Sequence, residues 1–105
     1  MDPFDDLVVK PASSFTRNEG VNITLRCEAS LGMFKGVPIW TKDEKTLKIE
    51  QDRMSVKNWT KEKSISELHI QNATSEDAGL YECNAVKKTD DRNYQKSIRL
   101  TVKSK

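Results

Sequence analysis

The chain has one histidine, only two cysteines, and no run of apolar residues approaching the roughly 20 that cross a bilayer. Its start, Met1-Asp2-Pro3-Phe4-Asp5-Asp6, is acidic and lacks the apolar stretch of a secretory signal. Residues 1–6 therefore read as a linker or an added leader, and residues 7–103 as the domain. The one histidine, His69, alternates outward between Leu68 and Ile70, which makes it a surface strand residue rather than a general base. With so few such side chains, no Ser/His/Asp set and no metal cluster can be assembled. The chain is expected to be no enzyme and to use no cofactor. Excess charge of one sign is missing too: Lys+Arg 18 against Asp+Glu 16 leaves +2, interspersed rather than blocked, which speaks against a nucleic-acid partner. Lys42, Lys45 and Lys48 near Lys87 and Lys88 suggest a heparin-like patch, but acids alternate with them. Helical periodicity, internal repeats and low-complexity stretches are also lacking.

What the chain does contain is period-two alternation. At 105 residues it is one domain, with charged residues at 32% and apolar ones at 35%. That balance suits two sheets packed face to face, with every other residue in water. Leu7-Val8-Val9 opens a strand that Pro11 interrupts, as at an edge or at a break between two half-strands. Residues 21–27 place Val21, Ile23, Leu25 and Cys27 on one face and Asn22, Thr24 and Arg26 on the other. Further strands are expected over 37–42 around Trp40, 47–49, 53–56 and 65–70. Two more follow, 79–86 with Tyr81, Cys83 and Ala85 inward, and 95–102 with Ile98, Leu100 and Val102 inward. Gly, Asn, Asp, Ser and Lys crowd the intervening turns. The domain is all-β.

Two features point to the secretory pathway. An even cysteine count in a short chain permits a disulfide, and such bonds persist in oxidising compartments. Three glycosylation sequons are present: Asn22-Ile23-Thr24, Asn58-Trp59-Thr60 and Asn72-Ala73-Thr74.

Taken together, Leu25-Arg26-Cys27, Trp40, Leu68-His69-Ile70 and Asp77-Ala78-Gly79-Leu80-Tyr81-Glu82-Cys83 resemble the immunoglobulin superfamily, in its I-set form, over residues 7–102. The resemblance implies a two-sheet Greek-key sandwich with one inter-sheet disulfide, Cys27 to Cys83. It implies that Trp40 packs on that bond and that the Tyr81 hydroxyl bonds back to the preceding turn. Asp77 would pair with Arg53 at the base of the sandwich. Between Trp40 and Arg53 there is room for only a short extra strand, which disfavours a full variable-type domain.

The same resemblance orients the sequons. Asn22 is expected to point outward on the sheet of the first, second, fourth and fifth strands. Asn72 falls in the base turn, and Asn58 in a turn at the far end. Glycans there would leave the opposite sheet bare, with Ile39, Thr41, Leu80, Glu82, Asn84, Val86, Lys96 and Arg99 outward. Ile39, Leu80 and Val86 would form an apolar patch rimmed by charge. Met33 and Phe34, between two glycines, are a second candidate anchor, although such a Phe more often folds back over the core. Residues 87–93 read as a charged, solvated hairpin tip.

The expected function is non-catalytic recognition outside the cell, in adhesion or in a receptor ectodomain. The partner would be another ectodomain or a protein ligand, a second copy of the domain included. A membrane would be reached only through a transmembrane segment elsewhere in a parent chain. The alternative is a load-bearing module of a cytosolic filament, with both cysteines reduced.

Overall fold

The structure is a computed structural model and describes residues 6–11 and 13–104. It contains strands β1 (Leu7–Lys10), β2 (Ser14–Asn18), β3 (Ile23–Ser30), β4 (Phe34–Lys42) and β5 (Lys45–Thr46). After these come β6 (Met54–Thr60), β7 (Lys63–Ile70), β8 (Gly79–Lys87) and β9 (Asn93–Lys103), and between β7 and β8 lies a 3-10 turn at Ser75–Asp77. They form two sheets, ordered β1-β3-β7-β6 and β2-β9-β8-β4-β5. All pairings are antiparallel except β2 with β9, which is parallel. The interruption at Pro11 is thus a change of sheet: β1 pairs with β3, while β2 crosses to β9.

Alternation decides what is buried. Ile23, Leu25, Cys27, Leu68 and Ile70 from one sheet meet Trp40, Tyr81, Cys83, Ile98 and Leu100 from the other, all within one buried cluster. The Cys27–Cys83 disulfide crosses that core with its Cα atoms 6.3 Å apart. Trp40 lies in register with Cys83, and its indole N–H donates across the sandwich to the Ser66 carbonyl at 3.3 Å.

Four strands and one side chain differ from the sequence expectation. The second long strand begins at Ile23; Val21 is exposed, because its carbonyl accepts the Ala73 N–H in a loop contact below the sheet. The Trp40 strand starts earlier, at Phe34, with a register shift between Lys35 and Ile39. Gly36 lies within that shift at φ 61°, a left-handed conformation that glycine adopts without strain. The short strand expected over 47–49 is instead Lys45–Thr46, because Asp43 and Glu44, at φ 51° and 67°, reverse the chain directly after Lys42. The strand expected over 53–56 runs on to Thr60, every residue of Lys57–Thr60 finding a partner on β7. Lys96 sits opposite Cys83, on the same side as Ile98, and so is not an outward residue.

Candidate functional site

The base of the sandwich is built from the 3-10 turn and the start of β6. Arg53 donates a fork of two hydrogen bonds to the Asp77 carboxylate, Nη1 to Oδ2 and Nη2 to Oδ1, both at 3.1 Å. The Thr74 N–H adds a third bond to Oδ2 at 2.8 Å, and the Tyr81 hydroxyl donates to the Asp77 carbonyl at 2.5 Å. Asp77 is only 5% exposed. Burial works to raise its pKa, but the Arg53 bonds and the Thr74 N–H outweigh it and hold the carboxyl below the ordinary carboxylate value. Burial pushes the Tyr81 hydroxyl up, and the neighbouring Asp77 and Asp43 charges add to the rise. The Asp77 carboxylate and the Tyr81 hydroxyl are thus bonded within the chain, and the cluster secures the fold.

The outer face of the β2-β9-β8-β4-β5 sheet carries the expected interface residues, but as a polar ladder rather than an apolar patch. Ile39 is 68% exposed, whereas Leu80 and Val86 are half-buried. Between Leu80 and Val86 along β8, Asn84 organises the surface. Its amide nitrogen donates to the Ile39 carbonyl and to Thr41 Oγ1, both at 3.0 Å. Its Oδ1 accepts from Asn93 at 3.1 Å and from Gln95 at 2.6 Å. Thr41 in turn donates to Glu82 Oε1 at 2.6 Å. Glu82 is not a contact residue: it is 3% exposed, and its carboxylate accepts the Glu44 N–H at 3.1 and 3.2 Å, holding the left-handed Asp43–Glu44 turn. Arg99 is exposed and lies opposite Leu80.

Phe34 is withdrawn from the tip. It is 3% exposed and packs edge-on against Tyr94, with ring centroids 6.2 Å apart. Met33 is half-buried against the same core. The reason is that β4 starts at Phe34, so the backbone there is a strand with one face inward. The tip at 87–93 is tied internally as well, by Tyr94 Oη donating to Asp90 at 2.7 Å and by an ion pair between Lys35 and Asp91.

The sequons do not shield the face expected. Asn22 precedes β3 at the base, where its Oδ1 accepts the Asn72 N–H at 3.1 Å. Asn72 itself sits at φ 54°. Asn58 lies within β6 in register with Ser66, on the core side of an exposed edge strand, not in an end turn. The late start of β3 and the long run of β6 account for both displacements. Neither asparagine covers the outer face of β1-β3-β7-β6.

That face carries a charge network the sequence reading did not assemble. Glu28 meets Arg26 at 2.9 Å, Lys10 at 3.2 Å and Lys63 at 3.5 Å. Glu67 bridges Arg26 at 3.2 Å and His69 at 3.0 Å, and His69 also contacts Thr24. Burial acts to raise the Glu28 pKa, but the surrounding cations outweigh it and leave the pKa lowered. The Arg26 guanidinium also lies 5.4 Å from the Trp59 ring centroid. The signal was the charged i, i+2 alternation on β3 and β7, and only the register brings Arg26 opposite Glu67. Among the described residues, no group of three or more His, Cys, Asp or Glu could hold a metal ion, and no helix is long and apolar enough to cross a membrane.

An immunoglobulin domain family model matches residues 7–95. No curated protein sequence is similar enough to count as a relative. Among solved structures, titin domain M7 superimposes with a TM-score of 0.68 at 22% identity, covering 92% of this chain and 93% of that one. A complex of Dpr2 Ig1-Ig2 with DIP-Theta Ig1-Ig3 gives 0.69 at 19% identity, covering 95% of this chain and 50% of the matched one. A chain from a structure on T cell activation by the superantigen toxic shock syndrome toxin-1 gives 0.68 at 19%, with coverages of 91% and 97%. At such identities these likenesses describe the fold. With its two sheets, its bonded Cys27 and Cys83, and a family match over most of its length, the chain belongs to the immunoglobulin domain family.

Proposed function

We propose that this domain is a non-catalytic recognition module that works outside the cell and binds a protein partner with the outer face of β4, β8 and β9. The observation that carries the proposal is Ile39: a large aliphatic side chain 68% exposed, standing on a surface locked by the Asn84 bonds to the Ile39 carbonyl, Thr41, Asn93 and Gln95. An apolar anchor on a pre-ordered polar surface loses little side-chain entropy on binding. Arg99, opposite Leu80, supplies a charge elsewhere on the same face, and the partner offers a small apolar pocket rimmed by hydrogen-bonding groups. The bonded cysteines and the three sequons support an oxidising compartment. The Dpr2 and DIP-Theta complex, a pair of such proteins bound to one another, is the kind of partnership intended. Catalysis has little to draw on, since the one imidazole is engaged by Glu67 and Thr24.

The test has two readouts. Intact mass of the secreted protein, before and after deglycosylation and reduction, should show the disulfide and added sugar. Free thiols with unmodified asparagines would favour the load-bearing intracellular module instead. Multimerised wild-type domain is then screened against a panel of ectodomains that includes itself, with Ile39→Arg run in parallel. Hits lost in Ile39→Arg support the assigned face; hits retained by that variant refute it.

A further inference from the structure

The four-stranded sheet ends in an edge of unusual regularity. β6 pairs with β7 over seven consecutive positions without a register shift, and every residue after Met54 is exposed. Among the described residues, no strand lies beyond it in the order β1-β3-β7-β6. Natural edges are blunted by shortness, proline, bulges or charge. β6 has none of the first three and a single charge, Lys57, beside an exposed Val56 and Trp59. It also carries a sequon in its middle, at Asn58.

We propose that β6 pairs with β6 of a second copy about a two-fold axis through Asn58, joining the two sheets into one, and that a glycan on Asn58 prevents this. The register follows from self-complementarity. A two-fold axis perpendicular to the sheet keeps outward residues outward, so it must pass through a residue position. Centred on Lys57, it sets that lysine against its own copy; centred on Trp59, it sets Lys57 against Lys61 of the second copy. Both place like charges opposite each other. Centred on Val56, it leaves Trp59 outside the paired strands. Centred on Asn58, it places each Lys57 opposite Trp59 of the second copy, a cation against an aromatic ring, twice over. Val56 then faces Thr60. Residues directly opposite in an antiparallel pair lie only about 4.5–5.5 Å apart, so sugars on the two axial asparagines would collide.

The glycan clause rests on the secretory reading proposed above; the pairing does not. The experiment is sedimentation velocity from about 10 μM to about 1 mM, the range where a small, weak interface associates. Four disulfide-bonded proteins are compared: the chain refolded without glycans, the secreted chain with Asn58 occupied, and unglycosylated Trp59→Lys and Lys57→Glu/Trp59→Lys. The first should shift from monomer to dimer with concentration, and the glycosylated chain should remain a monomer. Trp59→Lys should remain monomeric while still melting cooperatively, because lysines now face each other. The double variant should recover the dimer, because opposite charges do. A monomeric unglycosylated chain at the top of the range, an undiminished dimer in Trp59→Lys, or no recovery in the double variant overturns the pairing. A secreted chain whose mass shows Asn58 bare overturns the glycan clause and weakens the secretory reading. The unglycosylated proteins still decide the pairing.

Discussion

Removing the Asp77 carboxylate should cost this domain more than any single surface change, and it should cost less when Arg53 goes as well. In the folded state that carboxylate receives both arms of the Arg53 fork and the Thr74 N–H. Asp77→Ala deletes all three bonds and leaves a guanidinium whose side chain is 24% exposed, still held by the Gln71 carbonyl at 3.2 Å and by Glu50. Stripping one partner from a fully buried ion pair costs about 3–5 kcal/mol. Because Arg53 keeps water and other acceptors, the lower end applies, about 3 kcal/mol. For a domain of this size that lowers Tm by roughly 14 °C. Arg53→Met/Asp77→Ala should recover at least about 1 kcal/mol of the summed single losses, since neither charge is then left without its partner. Urea unfolding of the four proteins closes the cycle. The pH dependence gives an independent check. The folded Asp77 pKa lies below its unfolded value, so the stabilisation is fully present above the unfolded pKa, about 4, and is lost as pH falls through the lowered folded value. Stability should therefore fall less steeply below about pH 4 in Asp77→Ala than in the wild type. A loss under about 1 kcal/mol, or strictly additive single variants, would refute a coupled, partly buried pair.

The disulfide closes a separation of 56 residues, so Cys27→Ala/Cys83→Ala should lose about 4 kcal/mol in the chain-entropy account, read as a lower urea midpoint. Glu82→Ala should cost about 1–2 kcal/mol, because the Glu44 N–H and the Thr41 hydroxyl lose their acceptor, while the Asp43 bonds to Leu80 keep the left-handed Asp43–Glu44 turn from opening altogether. Hydrogen exchange should localise the loosening to β4 and β5; protection unchanged there would refute the assigned role of Glu82.

Much of this molecule could be read from its residues because the relevant physics is local. Alternation through Ile23, Leu25 and Cys27, and through Tyr81, Cys83 and Ala85, states which face is inward wherever a strand exists. Cys27, Trp40 and the Asp77–Cys83 run were enough to anticipate the sandwich, and the folded chain joins the two cysteines. The misjudged positions were those where pairing to a distant segment overrides local pattern. Polar Lys57, Asn58 and Thr60 resemble a turn until β7 offers them partners. Glu82 resembles a surface residue until the Asp43–Glu44 turn folds onto its carboxylate.

The sequence by itself determined fold class, most of the inward set (Val21 and Lys96 excepted) and the core triad of Cys27, Trp40 and Cys83, since period-two burial needs no knowledge of what lies alongside. Only the tertiary structure decided that Asn22 meets Asn72 at the base, that Asn58 stands mid-edge, that Arg26 joins Glu28 to Glu67, and that Ile39 alone of the three outward aliphatics is widely exposed. Those are facts of register and strand length. A shift of two residues leaves the hydrophobic pattern intact while moving every surface group to a different neighbour.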